Sequence, residues 1–194
     1  MNTDLPFAAT PLDDDEMGGL IPSLATRAEL NEFEESNILS ATLWASSSRL
    51  LRRDYPNVTA LRRLHGEMFK HTWKWAGQFR TSDKNIGIHW PQVQSELHKL
   101  CEDARYWVDN QTYTWVELGA RFHQRLVFIH PFPNGNGRHG RLATDILLRQ
   151  NGQKSFTWGS QALTPDGSPR KAYIAALHSA DVGNLEPLIA FVQT

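Results

Sequence analysis

Apolar residues recur at helical spacing through most of the chain. Trp115, Leu118, Phe122, Leu126 and Ile129 form one stripe, and Pro131 disfavours helical geometry at His130, so this helix ends there. Leu142, Ile146 and Leu147 resume a stripe that runs to Asn151-Gly152, a left-handed C-cap signal. Upstream, Leu61, Leu64, His65, Met68 and Phe69 share one face of a helix. Val93, Leu97, Leu100, Ala104 and Trp107 share a face of another, which Pro91 begins. Thr26 as N-cap and Glu29 three residues on make a capping box for a helix through Leu30 and Phe33 to about Ile38 or Leu39. Residues 40 to 70 read as two helices parted near Tyr55-Pro56-Asn57, and two more close the chain over about 169–179 and 185–192. Gln78 to Thr81 and Ile86 to Ile88 flank the turn-rich Ser82–Asn85 and predict a short hairpin. The fold class is therefore mainly all-α: a helical bundle around a helix–loop–helix corner, with a small β-hairpin.

A length of 194 residues fits one domain. Pro6, Pro11, Pro22, Gly18, Gly19 and the acidic run Asp13–Glu16 make residues 1–24 an extended arm, leaving 25–194 as the domain. The formal charge of −1 and a pI near 6.7 give no pull toward nucleic acid or anionic membrane. The arginines at 49, 52, 53, 62 and 63 read as a solvated face, so neither a specific nucleic acid nor a membrane is expected as partner. Mean hydropathy of −0.47, the lack of a long apolar run or leader and a single cysteine, Cys101, set the expectation of a cytoplasmic protein. No Cys/His spacing suggests zinc.

Chemistry concentrates in His130-Pro-Phe-Pro-Asn-Gly-Asn-Gly-Arg-His-Gly-Arg141. Gly135, Asn136 and Gly137 open the second helix of the corner, where backbone N–H groups lack intrahelical partners and can converge on an anion. Arg138 and Arg141, three apart, each offer a planar fork to phosphate oxygens. His130 across the corner is suited to proton abstraction near neutral pH. Together they describe a phosphotransfer site.

The pattern His-x-Phe-x-x-Gly-Asn-Gly-Arg-x-x-Arg resembles the signature of the Fic domain family, nucleotidyl transferases that mostly move AMP from ATP to a protein hydroxyl. A second stretch, Leu64-His-Gly-Glu-Met-Phe69 followed by Trp73-Lys-Trp-Ala-Gly-Gln-Phe-Arg80, is similar to one that Fic domains carry ahead of the motif. The likeness covers roughly residues 25 to 192. At the finest grain the chain resembles the Fic-containing group called mobile mystery protein B.

The resemblance implies a Fic fold and a protein AMP-transferase acting on a Ser, Thr or Tyr hydroxyl of a target protein, with self-modification as a second outlet. It makes His130 the general base, Phe132 an apolar anchor, and residues 135–137 with Arg138 and Arg141 the phosphate ligands. It implies ATP as substrate and Mg²⁺ as cofactor. Where most members carry Asp or Glu for the metal, Asn134 stands here, a weak metal candidate that would leave Mg²⁺ to the nucleotide phosphates. It turns the hairpin into a flap that docks the target through Thr81, Ile86, Gly87 and Ile88. The helix at about 26–39 is similar to the family's inhibitory helix, with Glu35 as the candidate glutamate, expected to pair with Arg141. Kinase-like phosphotransfer, transfer of another nucleotide and a catalytically silent nucleotide-binding module remain alternative readings of the same residues.

Overall fold

The computed structural model describes residues 11–160 and 168–194. The corner is built from α6 (Trp115–Ile129) and α7 (Asn136–Gln150), which pack along one another. Thr114 caps α6 by accepting from Glu117 N at 3.3 Å. Against this pair lie α5 (Val93–Asp109) and α4 (Val58–Phe69), the latter capped by Asn57. In turn, α4 carries α2 (Arg27–Ser47), and the short α3 (Arg49–Arg52) follows it. A main core fills the space between α2, α4, α5, α6 and α7, centred on residues such as Leu64, Met68, Leu97, Phe122 and Leu126. A second cluster, around Tyr173, Leu177, Leu188 and Val192, sits under α8 (Ser168–Asp181) and α9 (Glu186–Val192). No helix among the described residues is long and apolar enough to cross a membrane.

Three expectations change. First, α2 does not end near Ile38 but runs on to Ser47 from its Thr26–Glu29 capping box. Its inward line continues through the small Ala41 and Ala45, while Leu39 and Leu43 point outward at 64% and 68% exposure. Apolar residues on both faces blur the periodicity that sequence reading relies on.

Second, the arm is not simply extended. Residues 1–10 lie outside the described residues, but beyond them Asp13 caps a short helix, α1 (Asp14–Met17). The chain then pairs with the segment after α4, Ile21 N donating to Thr72 O and Lys74 N to Gly19 O. Glu16 and Asp13 grip Lys84 at 2.6 and 3.3 Å, clipping the arm to the loop expected as a flap.

Third, that loop contains no strand; among the described residues there is only an isolated bridge between Leu20 and Trp73. The physical reason is Arg80, whose guanidinium takes the carbonyls of Ser82 and Ile88 and so gathers residues 81–88 around a side chain.

Candidate active site

His130 ends α6 in the left-handed region, at φ 53° and ψ 61°, uncommon for a residue other than glycine; Pro131 excludes right-handed helix there, and the surrounding contacts hold the left-handed conformation. Its carbonyl accepts from Arg80 Nε at 2.6 Å, and Arg80 N donates to Pro131 O at 3.0 Å. The Arg80 side chain is completely buried, and its Nη2 also meets the carbonyls of Ile129 and Ile88. One guanidinium thus satisfies the carbonyl end of α6 and ties the 81–88 loop to it. The loop backbone lies directly on the imidazole: a Cβ at Gly87 (φ +98°) would come within 2.6 Å of His130 Cβ.

Phe132 anchors the corner as expected of an apolar residue there, wholly buried and stacked on His65 at 3.7 Å. His65 Nδ1 accepts from Gly77 N at 2.9 Å, so its proton sits on Nε2, which donates to Asn134 O at 3.0 Å. Asn136 closes the loop upon itself, Oδ1 accepting from Phe132 N at 3.0 Å and Nδ2 donating to Phe132 O at 2.8 Å. Its side chain therefore braces the turn, and only its backbone N–H remains for an anion. Gly135, at φ +77°, leaves room that Phe69 fills: an added Cβ would lie 2.6 Å from the Phe69 ring. Asn134 Oδ1 accepts from Gly135 N at 2.6 Å, so one donor of the expected cradle is already engaged.

Arg138 Nη1 pairs with Glu34 Oε2 at 2.7 Å, and its guanidinium lies 5.0 Å from the Phe69 ring centre. Glu34 is buried, and its other oxygen accepts from Trp73 Nε1 at 2.7 Å. Glu35, the expected partner of Arg141, is exposed instead, because it lies about 100° round α2 from the inward line of Leu30, Glu34 and Ala41. The carboxylate facing the site is Glu34, and the arginine it meets is Arg138. Arg141 makes no hydrogen bond or ion pair among the described residues; its guanidinium rests 5.4 Å from the Tyr173 ring centre.

These groups border one cavity of about 550 Å³. His130, the 134–138 turn and Arg141 form one side, Asn85, Ile86 and Gly87 of the loop another, and Tyr173, Ile174 and Leu177 of α8 the third. Thr81 and Ile88 do not border it: Thr81 is exposed and Ile88 packs against the core. Burial, then the nearby Arg80 guanidinium, push His130 down to about 4, so the imidazole is neutral at pH 7 with a lone pair to offer. Sequence reading missed the α8 wall and gave Arg80 no role beyond closing the Trp73–Arg80 stretch. The signal for α8 was the series Arg170, Tyr173, Ile174, Leu177, His178 and Asp181, which falls on one helical face.

The residues do not fit a protein-held Mg²⁺. The loop offers one neutral carboxamide oxygen, already turned to Gly135 N–H, and the described residues contain no cluster of three His, Cys, Asp or Glu side chains.

Residues 55–148, which include the whole corner, match the Fic/DOC family model. Over that stretch the chain is similar to the Fic domains of the Fic/DOC family. Among curated proteins it is similar to the protein adenylyltransferase fic-1 of Caenorhabditis elegans, 28% identical over 120 residues that cover 60% of this chain and 22% of that one. It is also similar to the protein adenylyltransferase Fic of Aedes aegypti, 26% identical over 157 residues, 79% of this chain and 30% of that one. The chain thus spans under a third of the length of these relatives. Among solved structures, C. elegans Fic-1 (residues 134–508) shares the fold with a TM-score of 0.70 at 23% identity, covering 92% of this chain and 51% of that one. The N-terminal Fic domain of a VirB-translocated Bep effector from Bartonella quintana, with bound ADP, gives 0.68 at 20% identity, covering 90% and 87%.

Proposed function

We propose that the protein transfers AMP from ATP to a Ser, Thr or Tyr hydroxyl of a target protein, as the names of its curated relatives suggest for this domain. The observation that carries the reading is that a neutral, buried imidazole and a guanidinium with no ion pair among the described residues border the same cavity as the open end of α7. Arg138 and Arg141, with the N–H groups at 136 and 137, hold the β- and γ-phosphates. The target oxygen attacks the α-phosphorus in line, its proton passes to His130, the bond from α-phosphorus to bridging oxygen breaks, and pyrophosphate leaves held by the two arginines. Placing polyphosphate beside His130 adds negative charge that favours imidazolium, which makes the base stronger when substrate is present. Mg²⁺ would enter, if at all, as part of the nucleotide, and none of these steps uses it.

The loop at Asn85–Gly87 supplies the open edge along which a target segment aligns its hydroxyl. Because Gly87 touches His130, Gly87→Ala should force loop and base apart and lower the rate of transfer by about a hundredfold while leaving nucleotide affinity within about twofold. Titrating ATP into the variant by calorimetry and timing label transfer checks both halves.

Purified protein, cell lysate and ATP labelled at the α- or the γ-phosphate test the reaction itself. Label on protein from α-ATP alone, lost in His130→Ala, is the expected result. Label from γ-ATP alone would make the protein a kinase-like enzyme. Nucleotide binding without any transfer would leave a silent module.

A further inference from the structure

Arg141 is the least restrained of the two phosphate-binding side chains. Arg138 is fixed by Glu34 and Phe69, but Arg141 has only the Tyr173 ring beneath it, since it forms no ion pair or hydrogen bond among the described residues. A guanidinium loses much less on binding an anion when its direction is set beforehand. What sets it is therefore whatever holds Tyr173. That ring is 9% exposed, belongs to α8, and leans on Phe191 with centroids 5.6 Å apart. Its hydroxyl lies 2.9 Å from Nε2 of His123 on α6 and 3.6 Å from the place a Cβ would take on Gly137 of α7. One phenol thus joins three helices at the phosphate end of the cavity.

His123 is wholly buried and takes no part in the chemistry proposed above. Burial is the main reason that its ring is pushed down to about 3, with the positive charge of Arg141 second, so it is neutral. Nε2 lies 2.9 Å from the Tyr173 hydroxyl, and a neutral ring with its proton on Nδ1 accepts there from the phenol. A protonated His123 would instead place a cation close to Arg141, so the neutral ring is also the one compatible with a guanidinium there.

The geometry points to His123 as a positioning residue for the phosphate site: it fixes the Tyr173 hydroxyl, and the fixed ring presents the Arg141 fork to the terminal phosphates of the nucleotide. The inference rests on the nucleotide reading given above and adds that affinity for the polyphosphate, not for the nucleoside, is set from the rear by α6. It also explains why a phenol whose body faces the cavity spends its hydroxyl on a histidine behind it rather than on the ligand side.

The test compares ATP with AMP, because AMP lacks the phosphates that Arg141 would meet. Affinities of the full chain for both are measured by calorimetry, with thermal stability alongside, for the unchanged protein and for His123→Leu, His123→Gln, Tyr173→Phe and Arg141→Ala. His123→Leu and Tyr173→Phe should weaken ATP about tenfold and AMP less than about twofold, as Arg141→Ala does. His123→Gln, whose carbonyl can accept from the phenol, should recover most of the loss. His123→Leu added to Arg141→Ala should weaken ATP no further. Equal weakening of ATP and AMP, or a fall in thermal stability with the ratio unchanged, would reduce His123 to a packing residue and overturn the inference while the nucleotide site stands. If the unchanged protein binds neither nucleotide, the nucleotide reading itself fails and this inference falls with it.

Discussion

Lowering the pH from 7 to 5 should unfold the protein, well before its carboxylates begin to titrate. Four of its eight histidines are at most 4% exposed: His65, His123, His130 and His139. Burial is the leading cause in each case, pushing His123 to about 3, His130 and His139 to about 4, and His65 well below the ordinary value. In the unfolded chain each titrates near about 6.5. The sign follows from where protons bind: below 6.5 the unfolded state takes up protons that the folded state refuses, so stability falls as pH falls, until the folded values are reached. Each group contributes up to about 1.4 kcal/mol per pH unit, so His123, His130 and His139 together approach roughly 4 kcal/mol per unit near pH 5, and His65 acts in the same direction. By pH 5 the loss from those three is on the order of 6 kcal/mol, comparable with the whole stability of a small domain. Asp13 and Asp83 also depend on pH, but they are lowered carboxylates and act below the usual carboxylate range. Urea midpoints followed by circular dichroism at pH 7, 6 and 5 should fall steadily. His139→Gln, which keeps a donor for Leu61 O without the titration, should flatten the slope by about a quarter. A midpoint that stays constant down to pH 5 would show that the buried rings pick up protons in place.

The parts of the site that could be read in the sequence are those that local order determines. His130, the 135–137 turn and the two arginines lie within twelve residues of chain, and Pro131 and Gly135 constrain the backbone between them. Stripes on α4, α5, α6 and α7 were equally plain, because each helix buries one face. What was not legible depends on distant contacts. Arg80 reaches carbonyls 49 and 50 residues away, and nothing in its neighbourhood announces that a cation will be buried there. The hairpin was inferred from turn residues, yet the carbonyls that would have paired strands serve that guanidinium instead. On α2 the inward face could not be chosen between adjacent glutamates, since Leu39 and Leu43 on the outer side compete with Ala41 and Ala45 on the inner. The Tyr173 face of α8 went unnoticed because its aromatic and apolar members look like ordinary core.

Replacing Glu34 should raise the proposed AMP transfer. The Glu34 carboxylate is 7% exposed and holds the Arg138 guanidinium at 2.7 Å, so it competes for the fork that the proposed function gives to phosphate. ATP must displace it or bind with one arginine withheld, so the isolated protein should be largely inactive. A charge-assisted bond of this kind is worth about 1.5–3 kcal/mol, which corresponds to roughly ten- to a hundredfold in nucleotide affinity or transfer rate. Glu34→Gln keeps an acceptor for Trp73 Nε1 and removes the charge, so it should activate with little loss of stability. Glu34→Gly should activate as far but melt earlier, because Trp73 loses its acceptor at a cost of about 1–3 kcal/mol and glycine weakens the helix interior by about 1 kcal/mol. The freed Arg138 still has the Phe69 ring against it and gains phosphate as counter-charge, so the fold need not suffer from an unpaired cation. Glu35→Gly and Glu32→Gly, both on the exposed face, should leave labelling at the level of the unchanged protein. Labelling with α-labelled ATP, over a range of ATP concentrations, separates the cases. Equal rates for the unchanged chain and Glu34→Gln would remove the inhibitory role of the Glu34–Arg138 pair, and a rise confined to Glu35→Gly would transfer that role to a residue that only a rearranged α2 could bring to the site.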